Sequence, residues 1–398
     1  MATNTWLSRA LARAQVDTLT PGGTIEVGDI FIVTINGKSC SYSATGTTVA
    51  SVCTGLAAAL TAMTAAEFTE ITFTDSTTTV TATGGTAGLP FTITATTTES
   101  NGGAADAQTF VQATTTAATG PNHWDDVNNW SLGAIPANTN DVDIDLARGS
   151  ILYGLGQSAV TAATLDIYSS GETANEIGLP EINVDGGYTE YRTKDLQIGA
   201  TLARFNSRSP FVRIDFGSVQ TAVEVRATGT ESGDGVPALL LKGTHASNTF
   251  EFKSGTSGLG YFLGESCSAS VTRVSPEASL IVGELVSLVT VTSLGTTLIQ
   301  TSGAGTTLTV EEGTTRVIGT SAWTTLNADG GVCYYESSGT VGTANIGPGT
   351  VDCSGDISPR TFSVTNLEVG GQIIDPNQTI THTAGVARTA RVKEMTAA

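Results

Sequence analysis

Residues 25–43 read IEVGDIFIVTINGKSCSYS, two runs in which apolar and polar residues alternate, joined at Asn36-Gly37. Alternation puts one set of side chains on one face of a strand, and Asn-Gly supplies the positive-φ positions of a tight turn, so the stretch predicts a β-hairpin. The period then changes. Thr48 precedes Val49, Val52, Cys53, Leu56, Leu60 and Met63, a spacing of three and four that predicts a helix capped by a hydroxyl. Three more strand-like runs follow, EITFTDS, TTTVTATGG and AGLPFTITATT, parted by Asp-Ser and Gly-Gly turns. Residues 16–97 thus predict a small α+β domain behind an N-terminal arm, residues 1–15. Residues 98–120 lose the periodicity, and their Gly/Ala/Thr composition predicts a linker.

Beyond residue 120 the pattern is one of short β runs without a convincing helix. In the last third, Gly precedes an alternating strand in GTTRV at 313, GGVCY at 330, GTVDC at 349 and GGQII at 370. A second set interleaves with it: TTLTV at 306, WTTLN at 323, GTANI at 342 and VTNLEV at 364. The first set recurs at steps of 17, 19 and 21 residues, the signature of a β-solenoid whose coils bury their inward side chains against the coils above and below. In such a stack Cys333 and Cys353 are expected to lie over each other. The fold class predicted is mainly β: a small N-terminal α+β domain, a β-rich cap and first part of the body over residues 121–270, β-solenoid coils over 271–385, and a basic tail, 386–398. A β-sandwich with irregular hairpins is the alternative.

Composition narrows the function. The 398 residues carry a formal net charge of −19, a mean field that opposes phosphate contacts, so no nucleic-acid partner is expected. Charged residues make up 14%, against about a quarter in a typical domain, which fits a Thr/Gly/Val/Ala/Ser chain of strands and turns. The N-terminus lacks the apolar core of a secretory signal and no run is long enough for a membrane span, so synthesis in the cytoplasm and no membrane partner are expected. Five cysteines without CxxC spacing read as reduced thiols packed as small apolar groups.

The densest chemistry is HWDDVNNW, residues 123–130, with Asp141, Asp143 and Asp145 shortly after. The three alternate aspartates could gather calcium, but the Gly and Glu of an EF-hand loop are missing, so the reading taken is a solvated acidic strand face with no metal or other cofactor. Trp124 and Trp130 are expected to cap the open end of the solenoid. Glu181, Asp185 and Glu190 are the best acid candidates for a polysaccharide-cleaving site, set against simple surface charge. His123, His245 and His382 stand in unrelated contexts, and no G-x-S-x-G elbow accompanies them. No catalytic residue is assigned. Trp6, Arg9 and Arg13, in WLSRALARAQ, are assigned to assembly, as a short amphipathic helix forming on an acidic surface; Arg388, Arg391 and Lys393 make the other terminus basic.

The N-terminal third resembles a recurrent module of tailed-phage virion proteins. The resemblance is carried by FIVTINGK, by the hydroxyl-led helix and by the strand pair T-A-x-x-x-x-A-G-x-P-F-T; W-x-x-x-x-N-W-S-x-G-x-I-P from Trp124 onward, with ILYGL, EIGLP, YTEYR, LQIGA and ALLLKGTHASN, is similar to companion segments in phage structural regions. It covers about the first 250 residues, implies a virion component and carries no catalytic residues to transfer. The expectation is a capsid decoration protein, itself a homotrimer, bound to the major capsid protein or other virion proteins. A tail fibre or receptor-binding spike is the first alternative.

Overall fold

The computed structural model describes residues 2–99, 107–172, 175–179, 195–230, 234–382 and 387–388. The chain is mainly β, and its body is a β-solenoid of about 11 turns. Coils stack through parallel ladders: Leu165 of strand Gly156–Tyr168 lies opposite Val142, then Ala203, Val223, Phe250, Thr272, Val291, Leu308, Leu326, Ala344 and Val364 succeed it on the coils above. Because side chains alternate with period two, a second column two residues along also points inward, from Ile144 through Ile167, Phe205, Val225 and Phe252 to Ile346 and Leu367. All of these apolar side chains belong to one continuous core. The residues between the columns form the outer face.

Both repeats seen in the last third are stacked columns. Thr307 lies opposite Thr325 and Thr325 opposite Thr343; Thr314 lies opposite Val332 and Val332 opposite Thr350. The step here is 18 residues, and this corrects the cysteine expectation: Cys333 stacks on Val351, and Cys353 falls two residues further on. An offset of two keeps a side chain on the same face, so both thiols are buried in the core all the same. On the outside, Asn345 donates to Asn327 at 2.9 Å, Asn366 to Asn345 at 3.2 Å and Asn327 to Thr309 at 3.1 Å, a ladder of amides one per coil. One core column varies sharply in size: Gly305, Trp323, Val341 and Phe362 follow one another. A β-carbon on Gly305 would lie 2.2 Å from the Trp323 ring.

The α+β domain has its own core, built from Leu19, Phe31, Val33, Ile35, Val52, Cys53, Leu56, Leu60 and Phe110 among others. Strands Ile30–Ile35 and Lys38–Ser43 form the expected hairpin, with Asn36 and Gly37 at φ 49° and 84°, values that an Asn-Gly turn tolerates. Helix Val49–Thr61 is capped by Thr48, whose side chain accepts from Ser51 N. The linker expectation for residues 98–120 is overturned in part: Gln108–Thr116 is a nine-residue strand, antiparallel to Val16–Gly23. Its inward residues are few, chiefly Gln108 and Phe110, and Asp17 holds it by accepting from Gln112 and Thr114 at 2.6 Å each.

The N-terminal arm, too, is corrected. Thr3–Thr5 is a solenoid strand, parallel to Asp141–Asp143, so the α+β domain is inserted in the first coil of the solenoid. The chain leaves and returns through a neck where Arg13 and Thr119 exchange backbone hydrogen bonds of 2.8 and 3.4 Å. The boundary expected at residue 271 falls inside strand Ser266–Val282 and marks no division. Of the basic tail, Ala387–Arg388 pairs with Asn366 and Leu367; Arg391 and Lys393 lie outside the described residues.

Candidate functional site

The end of the solenoid bearing the neck is closed by three tryptophans. Trp130 packs edge-on against Trp6 and Trp124, with ring centroids 5.1 and 4.6 Å away, and donates its Nε1 proton to Trp124 O at 2.7 Å. All three are buried in the solenoid core, and this overturns the assignment of Trp6 to docking. WLSRALARAQ is not helical either: Leu7 N donates to Asn129 O, and Arg9 N and Ala10 N both donate to Asn129 Oδ1 at 2.8 Å. The amide of Asn129 donates in turn to Gly120 O and His123 O, at 2.8 Å each. One fully buried side chain thus ties arm, neck and cap together. A second Asn, Asn4, covers the terminal strand edge through Ala134 O and Leu132 N, protecting it from pairing with another chain.

His123 joins the inserted domain to this end. Its Nε2 donates to Gly88 O at 2.9 Å, its ring lies against Tyr153, and Nδ1 is 3.6 Å from Asp125. A hydrogen bond from His123 holds the Asp125 carboxyl below its usual pKa. Asp126 caps the short turn at Val127–Asn129 by accepting from Asn128 N.

Between neck and cap runs a groove of about 770 Å³, lined by Arg9, Leu11, Arg13, Asp125, Asp126 and Val127 among others. Its aspartates are engaged internally. Arg9 and Arg13 are exposed and, among the described residues, make no ion pair. Leu11 beside them is 81% exposed, and Val127, Leu132 and Ile135 are exposed nearby. Two unpaired cations around an apolar surface, on a chain of net charge −19, make this the candidate interaction site.

The three alternate aspartates each have protein partners. Asp141 accepts from Thr164 Oγ1 at 2.9 Å and Asp143 from Tyr168 OH at 3.4 Å. Asp145 accepts from Ser170 and from Ala147 N. Burial raises its pKa, and those hydrogen bonds with Arg148 outweigh burial, so the carboxyl titrates below the usual range. Among the described residues no group of three or more His, Cys, Asp or Glu is placed to hold a metal ion. Glu181, Asp185 and Glu190 lie outside the described residues. His245 accepts from Ser247 N within a turn and His382 lies in strand Ile380–His382.

A charge network that sequence reasoning missed lies on the flank. Arg213, almost fully buried, is bound by Asp195 and donates to Glu265 at 2.9 Å; Lys242 contacts the same two acids and Asp215. Burial depresses the Lys242 pKa, but Asp195, Glu265 and Asp215 together raise it above its usual value. Glu265 also accepts from Phe262 N at 3.1 Å, and the Arg213 guanidinium lies 4.5 Å above the Phe262 ring. The network fixes the loop at residues 260–265. Asp215 shares strand Val212–Asp215 with Arg213, but Asp195 and Glu265 lie 18 and 52 residues from it, so no local motif announces the network.

No protein-family model, curated protein or solved structure matches the chain. What the fold itself defines is a parallel β-solenoid carrying an inserted α+β domain at one end.

Proposed function

We propose that this chain is a non-enzymatic structural protein of a phage particle, most simply a decoration protein on the capsid exterior. It docks through the neck groove, with Arg9 and Arg13 meeting carboxylates of the major capsid protein and Leu11 and Val127 its apolar contacts. The observation that carries the reading is the pairing of a stiff, continuous core with unpaired arginines at the capped end. A solenoid gives length and rigidity from short repeats, and flat coil faces suit a homotrimer. A receptor-binding fibre is the second reading, favoured by the braced aromatic loop on the flank.

Gel densitometry of purified particles tests both. A copy number comparable with the major capsid protein supports decoration, and a small fixed number supports a fibre. Absence from purified particles rejects both. Within the decoration reading, Arg9→Glu with Arg13→Glu is expected to abolish binding to particles lacking the protein while leaving the folded chain intact.

A further inference from the structure

Loop 260–265 overhangs a groove of about 390 Å³ whose lining includes Tyr261, Phe262, Glu284, Gln300, Ser302 and Thr320. The rings of Tyr261 and Phe262 meet edge to face at 5.2 Å, and Tyr261 OH donates to Gly235 O at 3.3 Å. Below them, Glu284, Ser302 and Thr320 recur at 18-residue steps, and Ser302 N donates to Glu284 O at 3.1 Å across adjacent coils. The floor therefore repeats at the coil spacing of about 4.8 Å, close to the length of a pyranose ring.

We propose that this groove binds a neutral glycan chain lying along the solenoid axis. Aromatic side chains offer an apolar surface to the C–H face of a sugar, while a carboxylate, an amide and hydroxyls can bond its hydroxyl groups as donors and acceptors. Among the residues named in the lining, Glu284 is the single one charged at neutral pH, which disfavours uronic or sialic acids. The bracing is the second argument. Burying Arg213, Asp195 and Glu265 carries a desolvation cost, and Glu265 uses one oxygen to hold Phe262 N, so the network fixes the aromatic pair in place before a ligand arrives. Such preorganisation lowers the entropy lost on binding. The site is separate from the neck and does not depend on what the neck docks against.

The test is isothermal titration of the full-length chain with maltoheptaose, chitopentaose and an oligogalacturonate. At least one neutral oligosaccharide is expected to bind, and the oligogalacturonate is not. Tyr261→Ala and Glu284→Gln are each expected to weaken binding about tenfold, with Arg9→Glu without effect. Glu284 is exposed, so its variant keeps the test decisive if Tyr261→Ala disturbs the loop. The proposal is overturned if neither neutral probe binds, if the oligogalacturonate binds more tightly, or if binding survives unchanged in Glu284→Gln and in a folded Tyr261→Ala.

Discussion

The lower coils of the solenoid, up to about residue 274, and the upper coils beyond it solve the same stacking problem with different residues. In the lower coils Phe205, Phe250 and Phe252 fill the inward columns, whereas Val291, Leu308, Leu326 and Ala344 continue one of them above. The outer column between them runs Asp166, Arg204, Glu224, Glu251, Arg273 below and Thr292, Thr309, Asn327, Asn345, Asn366 above. Coil length differs as well: Thr164 pairs with Leu202, a step of 38 residues, whereas Thr307 pairs with Thr325 after 18. Regular coils are held by identical small contacts repeated, and irregular coils by individual charge networks around their insertions. The first kind is robust at any one position; the second concentrates stability in a few groups.

That contrast is sharpest at arginine. Arg213→Ala below removes the buried guanidinium and leaves Asp195 and Glu265 with Lys242 as their remaining cation, and is expected to cost about 3–5 kcal/mol. Arg316→Ala above, where the arginine is more than half exposed in its pair with Glu336, is expected to cost about 0–1 kcal/mol. Urea unfolding midpoints at constant slope read the difference; equal costs would dissolve the comparison. Glycine reverses the ranking. Gly305→Ala drives a methyl into Trp323 and is expected to cost about 1–3 kcal/mol, while Gly156→Ala, with nothing within 4 Å of the added carbon, leaves the midpoint close to wild type.

Acid separates the two halves next. Hydrogen bonds from Arg226 and Lys253 lower the Glu224 pKa from 4.5 to about 2. A depressed carboxylate stabilises the fold fully above its unfolded pKa, and that contribution is lost as pH falls through the folded value. Amide exchange in strands Ala222–Ala227 and Thr249–Leu259 is therefore expected to accelerate between pH 4.5 and 2, ahead of strands Gly305–Val310 and Trp323–Ala328, whose outer column does not titrate. A small effect is expected of Asn345→Ala, about 1 kcal/mol for the loss of one rung of the amide ladder, measurable as a shift of the thermal midpoint and insensitive to added salt.

The same contrast explains what the sequence revealed. Coils from 305 to 374 were legible because each repeats Gly before an alternating strand, and only the step was blurred, which misplaced Cys353 by two residues. The hairpin at Asn36-Gly37 and the helix behind Thr48 were legible for the same local reason: the pattern and its terminator lie within a few residues. The insertion was not legible, since Thr3 meets Asp141 across a whole domain and a three-residue strand has no period to detect. Asn129 reads as one of two adjacent polar residues, although it carries the junction. Trp6 reads as a docking residue because WLSRALARAQ has the pattern of a short amphipathic helix, yet Asn129 takes the backbone amides of Arg9 and Ala10.

The amide and threonine columns of the upper coils have a genetic consequence. A coil lost or copied in frame gives its neighbours the same Thr and Asn side chains on the outer face, whereas the core column of Gly305, Trp323, Val341 and Phe362 meets a new partner. Length added in 18-residue units is therefore matched on the outside at any coil and constrained on the inside by the sizes of the core side chains.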